Sequence, residues 1–326
     1  MITRVADIRP PMSTTTKVPQ TRTMSGEHLS ADDAWRTLRR TGTGTLLRDA
    51  FVRLRYGDGF SHARALGLQM ALTAIPGLIA LVGLAQTAHD ARWGQALQET
   101  IERVTPPASR AAVGQALRGA GDGGRSAVGL GLAAALVSLT VAMGQVERGA
   151  NRIYGMQRDR PFPAKYGGAF LRAVLAGVPI AVGLALLVFG ESFGSSLSDA
   201  YHWSPGVLRV WNLARWPAGT LLALVSAGVL FRKAPRRRQP SVTWLVFGAA
   251  VSLVVWLALT AALSWYVEGS HTFGTTYGPL TAVLAFLLWS NLSAIALFYG
   301  IAFAAQLESC RAGAGYRAPI TADPDA

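Results

Sequence analysis

Residues 277–308 read "YGPLTAVLAFLLWSNLSAIALFYGIAFAAQLE". The run is apolar enough to sit in lipid and longer than the roughly 20 residues that a membrane-crossing helix needs. It also carries Tyr277, Thr281, Ser290, Asn291, Ser293, Tyr299 and Gln306. Polar side chains in hydrocarbon are costly unless they find partners, so they tend to face a bundle interior or a wet cavity. At about 100° per residue, Tyr277, Thr281, Asn291, Tyr299 and Gln306 share one face, whereas Ser290 and Ser293 point elsewhere.

Apolar runs of similar length recur along the chain. Residues 65–88, 126–146, 172–190, 213–231, 241–267 and 278–304 make six candidate spans. The 326 residues are 15% charged, against about a quarter in soluble domains, so the solvent of this fold is a bilayer. The expectation is an all-α, polytopic membrane protein with six transmembrane helices. No strand alternation persists long enough for a barrel, and no room remains for a soluble domain of ordinary size. The first 60 residues hold no apolar run, so a cleavable signal peptide is not expected.

The net charge of +13 raises the alternative of a nucleic-acid partner. Its distribution argues against one. With the N-terminus in the cytoplasm, the inner segments 1–64, 147–172, 232–240 and 309–326 carry 24 of the 31 Lys and Arg residues. The outer segments 89–125 and 191–215 carry the other 7. Such asymmetry is what orients a membrane protein, with both termini in the cytosol. "FRKAPRRRQP" at 231–240 reads as a polar stop between two spans, compatible with anionic headgroups nearby.

Around the spans, residues 1–40 read as a disordered cytosolic tail, rich in Thr, Ser and Pro over the first thirty. Residues 41–310 form the membrane domain, and 311–326 a short cytosolic tail. Within the domain, Leu46, Leu47, Ala50, Phe51 and Leu54 recur at helical spacing over 45–56, predicting a helix along the inner membrane surface. On the outside, 91–120 reads as an amphipathic helical hairpin. Trp93, Leu97, Ile101 and Val104 lie on one face of its first helix, which Pro106 and Pro107 end. Pro76 and Pro179 lie inside spans and predict kinks, with the Thr73 hydroxyl placed to serve carbonyls freed by Pro76. In "GLGLAAALVS" at 129–138, Gly129 with Ala133 and Ala134 with Ser138 offer small residues at four-residue spacing for close helix packing.

Three stretches together carry a family resemblance. They are "ARALGLQMALTAIPGLIAL" at the start of span one, "NRIYGMQRDRPF" after span two and the final span itself. In this order they resemble the YihY/BrkB family of bacterial inner-membrane proteins, formerly labelled ribonuclease BN-like. The resemblance covers about residues 45–308 and implies a multi-pass protein of the bacterial cytoplasmic membrane. It singles out Asn151, Arg152, Tyr154 and Arg160 in the cytosolic turn, and Tyr277, Gly278 and Gly300 around the last span. The family's paired tyrosines before the span-one proline are replaced by Leu68 and Gln69. Its carboxylate and Asn after the closing Gly are replaced by Ala302 and Ala304, so a mechanism resting on that carboxylate does not transfer.

Chemistry-bearing clusters are sparse. His28, His62, His89, His202 and His271 are scattered over both sides of the expected topology, and the lone Cys310 excludes an internal disulfide. No nucleophile–base pair or metal-ligand spacing stands out, nor does a phosphate-binding Gly-rich loop, so no catalytic residue, metal or cofactor is expected. The leading reading is a permease or exporter of a lipid or other amphipathic envelope component, with membrane lipids as partners and self-association compatible with the fold. Its polar cavity would be lined by Gln69, Thr73, Gln145, Tyr277, Thr281, Asn291, Tyr299 and Gln306. The alternative is a non-transporting scaffold for envelope-assembly partners. The first reading expects a cavity open to water or lipid; the second expects a dry bundle.

Overall fold

The computed structural model describes residue 18 and residues 30–87, 91–105, 110–111, 114–115, 124–156, 160–269 and 280–313. Tyr277, Gly278, Pro106, Pro107, most of the expected second hairpin helix and most of both tails lie outside these residues.

The described chain is helical. Two short helices, α1 (Ala31–Thr41) and α2 (Thr43–Tyr56), precede α3 (Gly59–Thr87) and the amphipathic α4 (Ala91–Val104). Then come α5 (Gly124–Ile153), α6 (Phe162–Arg172), a π-helical turn at Ala173–Gly177, α7 (Val178–Tyr201), α8 (Pro205–Lys233), α9 (Val242–Gly269) and α10 (Thr281–Arg311). Six spans are long and apolar enough to cross a membrane, with α6, the π turn and α7 forming one continuous rod, Phe162–Tyr201. The expected spans are all present, and the helices extend beyond them. The third begins at Phe162 instead of residue 172, because the apolar count stops at Arg172 and Lys165, whose side chains are buried within the fold.

Neighbouring helices follow the order α5, α3, α10, α9, α8, α7. α6 returns to α5 at one end of the bundle, and α4 bridges α3 and α7 at the other. Arg311 Nε lies 2.8 Å from Asp33 Oδ2, so the ends of the membrane domain meet at one face, as an even number of spans requires. That face holds most of the large buried core, including Trp244, Phe231, Phe298, Phe303 and Leu245. Leucines and valines such as Leu130, Leu213 and Val254 point outward.

Close crossings rest on glycine. A Cβ on Gly248 of α9 would lie 2.7 Å from the carbonyl oxygen of Gly300 in α10, and one on Gly300 would lie 2.6 Å from that of Gly248. Bare backbones touch here, which is how membrane helices gain contact without a hydrophobic drive between them. Gly67 of α3 meets the backbone of Asn291 in the same way, at 2.7 Å.

Several local expectations are corrected. Residues 31–40 are helix instead of disordered tail: α1 carries Asp32 and Asp33 in its first turn and Arg39 and Arg40 in its last, complementing the helix dipole. α2 lays its apolar face on α10, and its Arg53 is fully buried instead of facing water. In α5, Gly129, Ala133 and Ala134 point outward, and it is Gly131 that packs, against Pro76 and Ala80 of α3. α3 continues as helix through Pro76, and the Thr73 hydroxyl donates to the Gln69 carbonyl (2.7 Å) and not to the Leu72 carbonyl that Pro76 frees. Pro179 is the second residue of α7, directly after the π turn; a wider turn is a common site for absorbing a break in the helical ladder.

Candidate functional site

The Tyr154–Gly155 turn ends α5. Gly155 adopts φ 72°, a left-handed conformation that glycine takes at no steric cost. The turn reverses the chain so that Asn151, Tyr154 and Arg160 all meet the loop between α8 and α9. Asn151 Oδ1 accepts a hydrogen bond from the Arg236 N–H (2.7 Å). The Arg237 guanidinium lies over the Tyr154 ring, 4.7 Å from its centroid. Arg160 donates to the carbonyls of Ala234 (3.0 Å) and Pro235 (3.1 Å). Arg152, the fourth residue of the family turn, is exposed.

Two buried carboxylates anchor this clasp. Glu147 of α5 is fully buried, with Arg172 Nη2 at 2.5 Å and Arg160 Nη1 at 2.8 Å from its Oε2. Glu308 of α10 is ion-paired with Arg237. Beside it, Arg53 of α2 donates from Nε to Gln306 Oε1 (3.0 Å) and from Nη1 to the Ile153 carbonyl (3.3 Å). Burial pushes the Tyr154 phenol above its ordinary range, so it stays neutral under the guanidinium. Val18 is buried next to this turn, its N–H 3.3 Å from the Tyr154 carbonyl. Desolvated ion pairs of this kind hold geometry more than they add stability, since the loss of solvation offsets much of the attraction.

Two residues of the last span's polar stripe, Tyr299 and Gln306, are taken up by packing contacts. The Tyr299 hydroxyl donates to the Leu47 carbonyl of α2 (2.9 Å), and Gln306 accepts from Arg53. Gln69 Nε2 donates to the Ser138 carbonyl of α5 (3.1 Å). Thr281 is buried, Asn291 and Gln145 are half-buried, and Gln145 Oε1 and Thr281 Oγ1 have no hydrogen-bond partner among the described residues. The two serines off the stripe face other helices: Ser293 accepts from Trp256 Nε1 (2.9 Å), and Ser290 is fully buried.

An opening occurs elsewhere. A cleft of about 250 Å³ lies between α6 with its π turn and the end of α8. Arg160, Arg172 and Lys233 line it together with the apolar Leu171, Leu175 and Leu230. None of the described stripe residues borders it. Gly168 lies one turn before Arg172, and a Cβ there would come within 3.0 Å of its guanidinium. Sequence reading missed this site because its basic residues look like ordinary span flanks. The signal available was Arg172 at the edge of an apolar run with Glu147 twenty-five residues earlier on the same expected side.

At the opposite end, Arg215 pairs with Glu191 (2.9 Å), Arg103 of α4 pairs with Asp199 (2.8 Å), and Trp93 stacks edge-on against Phe193. The amphipathic α4 is thus fixed on α7. Among the described residues no three His, Cys, Asp or Glu side chains gather as a metal site would need.

These helices define an all-α, multi-pass membrane protein whose basic end is clasped by buried ion pairs. The chain belongs to the BrkB family: the sequence model described as "Virulence factor BrkB" matches residues 50–324. It is similar to the ribonuclease-like protein YfkH of Bacillus subtilis, 26% identical over 260 residues that span 78% of this chain and 92% of that one. It is also similar to UPF0761 membrane proteins of Alteromonas mediterranea (27% over 179 residues, 55% of this chain and 58% of that one) and Alkalilimnicola ehrlichii (28% over 209 residues, 62% and 44%). The chain therefore spans about half the length of those UPF0761 relatives. No solved structure matches it significantly.

Proposed function

We propose that this chain is a non-enzymatic permease for a lipid or another amphipathic envelope component, working in a bacterial cytoplasmic membrane with its basic end in the cytosol. The observation that carries this is the cleft beside the π turn. It has a cationic rim at the end of a span and an apolar wall of Leu171 and Leu175, which are themselves exposed on the outside of the bundle. A polar headgroup and an apolar tail are thus offered adjacent surfaces at the end of a span. The π turn that borders the cleft supports this reading, since such turns are rare and occur frequently at functional positions in helices.

The ribonuclease-like description belongs to YfkH, and our reading does not extend it to this chain. The test is reconstitution of the purified protein in phosphatidylcholine vesicles containing a fluorescent short-chain phosphatidylglycerol. Loss of inner-leaflet fluorophore to an impermeant reductant is expected to be faster than in protein-free vesicles, and equal rates would refute the permease.

A second reading, a membrane scaffold, is favoured by one observation: Tyr299 and Gln306 of the polar stripe are engaged in helix contacts. It predicts no flux and retrieval of envelope proteins on crosslinking at the outer α4.

A further inference from the structure

We propose that the cleft between α6 and α8 is a binding site for the phosphate of an anionic phospholipid, with Lys233 as the docking cation and Arg172 as the buried hydrogen-bond donor. The proposal rests on the lipid-handling reading above and names its ligand.

The cations differ in what they have left to offer. The Arg160 guanidinium is committed to Glu147 and to backbone carbonyls of the α8–α9 loop. Arg172 is 8% exposed and gives Nη2 to Glu147, but its buried Nε has no partner among the described residues. Lys233 is exposed, makes no ion pair with any described residue and stands on the last turn of α8. Among the described residues, three cations line the cleft and one carboxylate, Glu147, pairs with two of them, which leaves an excess of positive charge and a buried donor still unsatisfied. A phosphate oxygen satisfies both, since it accepts from an N–H and pairs with an ammonium.

Size and surface select a lipid over a free ion. About 250 Å³ exceeds what a phosphate alone fills, yet it is too small for a whole phospholipid. A phosphoglycerol headgroup fits inside, and the acyl chains then run along Leu171 and Leu175 on the exterior. Basic pockets between spans at the headgroup level have this chemistry. A headgroup carrying its own ammonium would meet Lys233 with like charge, so phosphatidylglycerol is favoured over phosphatidylcholine.

The test uses the full-length protein in detergent, with bound lipid counted by native mass spectrometry. Short-chain phosphatidylglycerol, short-chain phosphatidylcholine and inorganic phosphate are added in turn. The parent protein is expected to retain phosphatidylglycerol over phosphatidylcholine. Lys233→Gln, at an exposed position, should melt as the parent does and lose about fivefold in phosphatidylglycerol affinity. Lys233→Arg should restore it, and Arg232→Gln, next door but outside the cleft, should not alter it. Equal retention of the two lipids by the parent, an equal loss in Arg232→Gln, or displacement of lipid by inorganic phosphate at comparable concentration would each overturn the proposal. Absence of flux with selective retention intact would refute the permease and leave this site standing; flux without selectivity would do the reverse.

Discussion

Arg237 and Glu308 form an ion pair in which each side chain is 1% exposed, although Arg237 belongs to a loop whose sequence reads as a polar stop between spans. The pair joins the α8–α9 loop to the end of the last helix, and the Tyr154 ring lies beneath the guanidinium.

Breaking the pair from one side strands a charge. Arg237→Met leaves Glu308 buried without its partner and should cost about 3–5 kcal/mol. The double variant Arg237→Met with Glu308→Leu removes both charges and should recover much of that loss. Thermal melting in detergent across the double-mutant cycle checks this; additive losses would show that the pair is not a unit.

The polar stripe should behave as helix glue in its lower half. Gln306→Leu removes the acceptor of Arg53 and should cost about 1–3 kcal/mol, whereas Tyr299→Phe loses one neutral hydrogen bond and about 0.5–1.5 kcal/mol. Asn291→Leu, at a half-buried position, should fall below Gln306→Leu, and the outward Leu288→Ala should fall near zero. Melting temperatures order these four; a larger loss at Asn291 than at Gln306 would contradict the assignment.

Glycine contacts give a third contrast. Gly248→Ala places a methyl 2.7 Å from the Gly300 carbonyl oxygen, so α9 and α10 must separate at a cost of about 1–3 kcal/mol. Gly129→Ala meets nothing within 4 Å and should leave stability unchanged or slightly raised. Comparable losses at the two positions would mean that the crossing is not as close as described.

The spans were legible because hydrocarbon demands long apolar helices, and that demand is written into every run from 65–88 to 278–304. Their ends were not, because Arg172 and Glu308 are charged residues buried against partners on other elements, Glu147 and Arg237, and hydropathy counts them as boundaries. The shared face of Tyr299 and Gln306 was equally legible. What that face meets was not, because α2, which receives Tyr299 and supplies Arg53, reads locally as a surface helix. The family turn was readable as a motif in Asn151, Tyr154 and Arg160, but its role as a clasp depends on carbonyls and N–H groups of residues 234–236. Backbone partners leave no sequence signature. Glycine periodicity misled for a related reason: Gly129 and Gly131 are both small, and only the tilt of α3 against α5 decides which one packs.

Orientation is tested by labelling. Arg238→Cys, on the exposed part of the α8–α9 loop, should react with an impermeant thiol reagent only after permeabilisation, in a Cys310→Ser background. Gln98→Cys on α4 should react in intact cells. The reverse pattern would invert the topology and remove the charge argument with it.

The central claim is that amphipathic cargo passes through the cleft beside the π turn. Leu175→Cys and Val229→Cys, introduced together in the Cys310→Ser protein, place thiols on its two walls. Bridging them with a short, cleavable bifunctional thiol reagent closes the cleft without replacing any residue of the clasp at Glu147 or Glu308. In reconstituted vesicles, the account predicts that phosphatidylglycerol flux falls to the protein-free rate on bridging and returns when the bridge is cleaved. Flux that continues unchanged through a bridged cleft would contradict it.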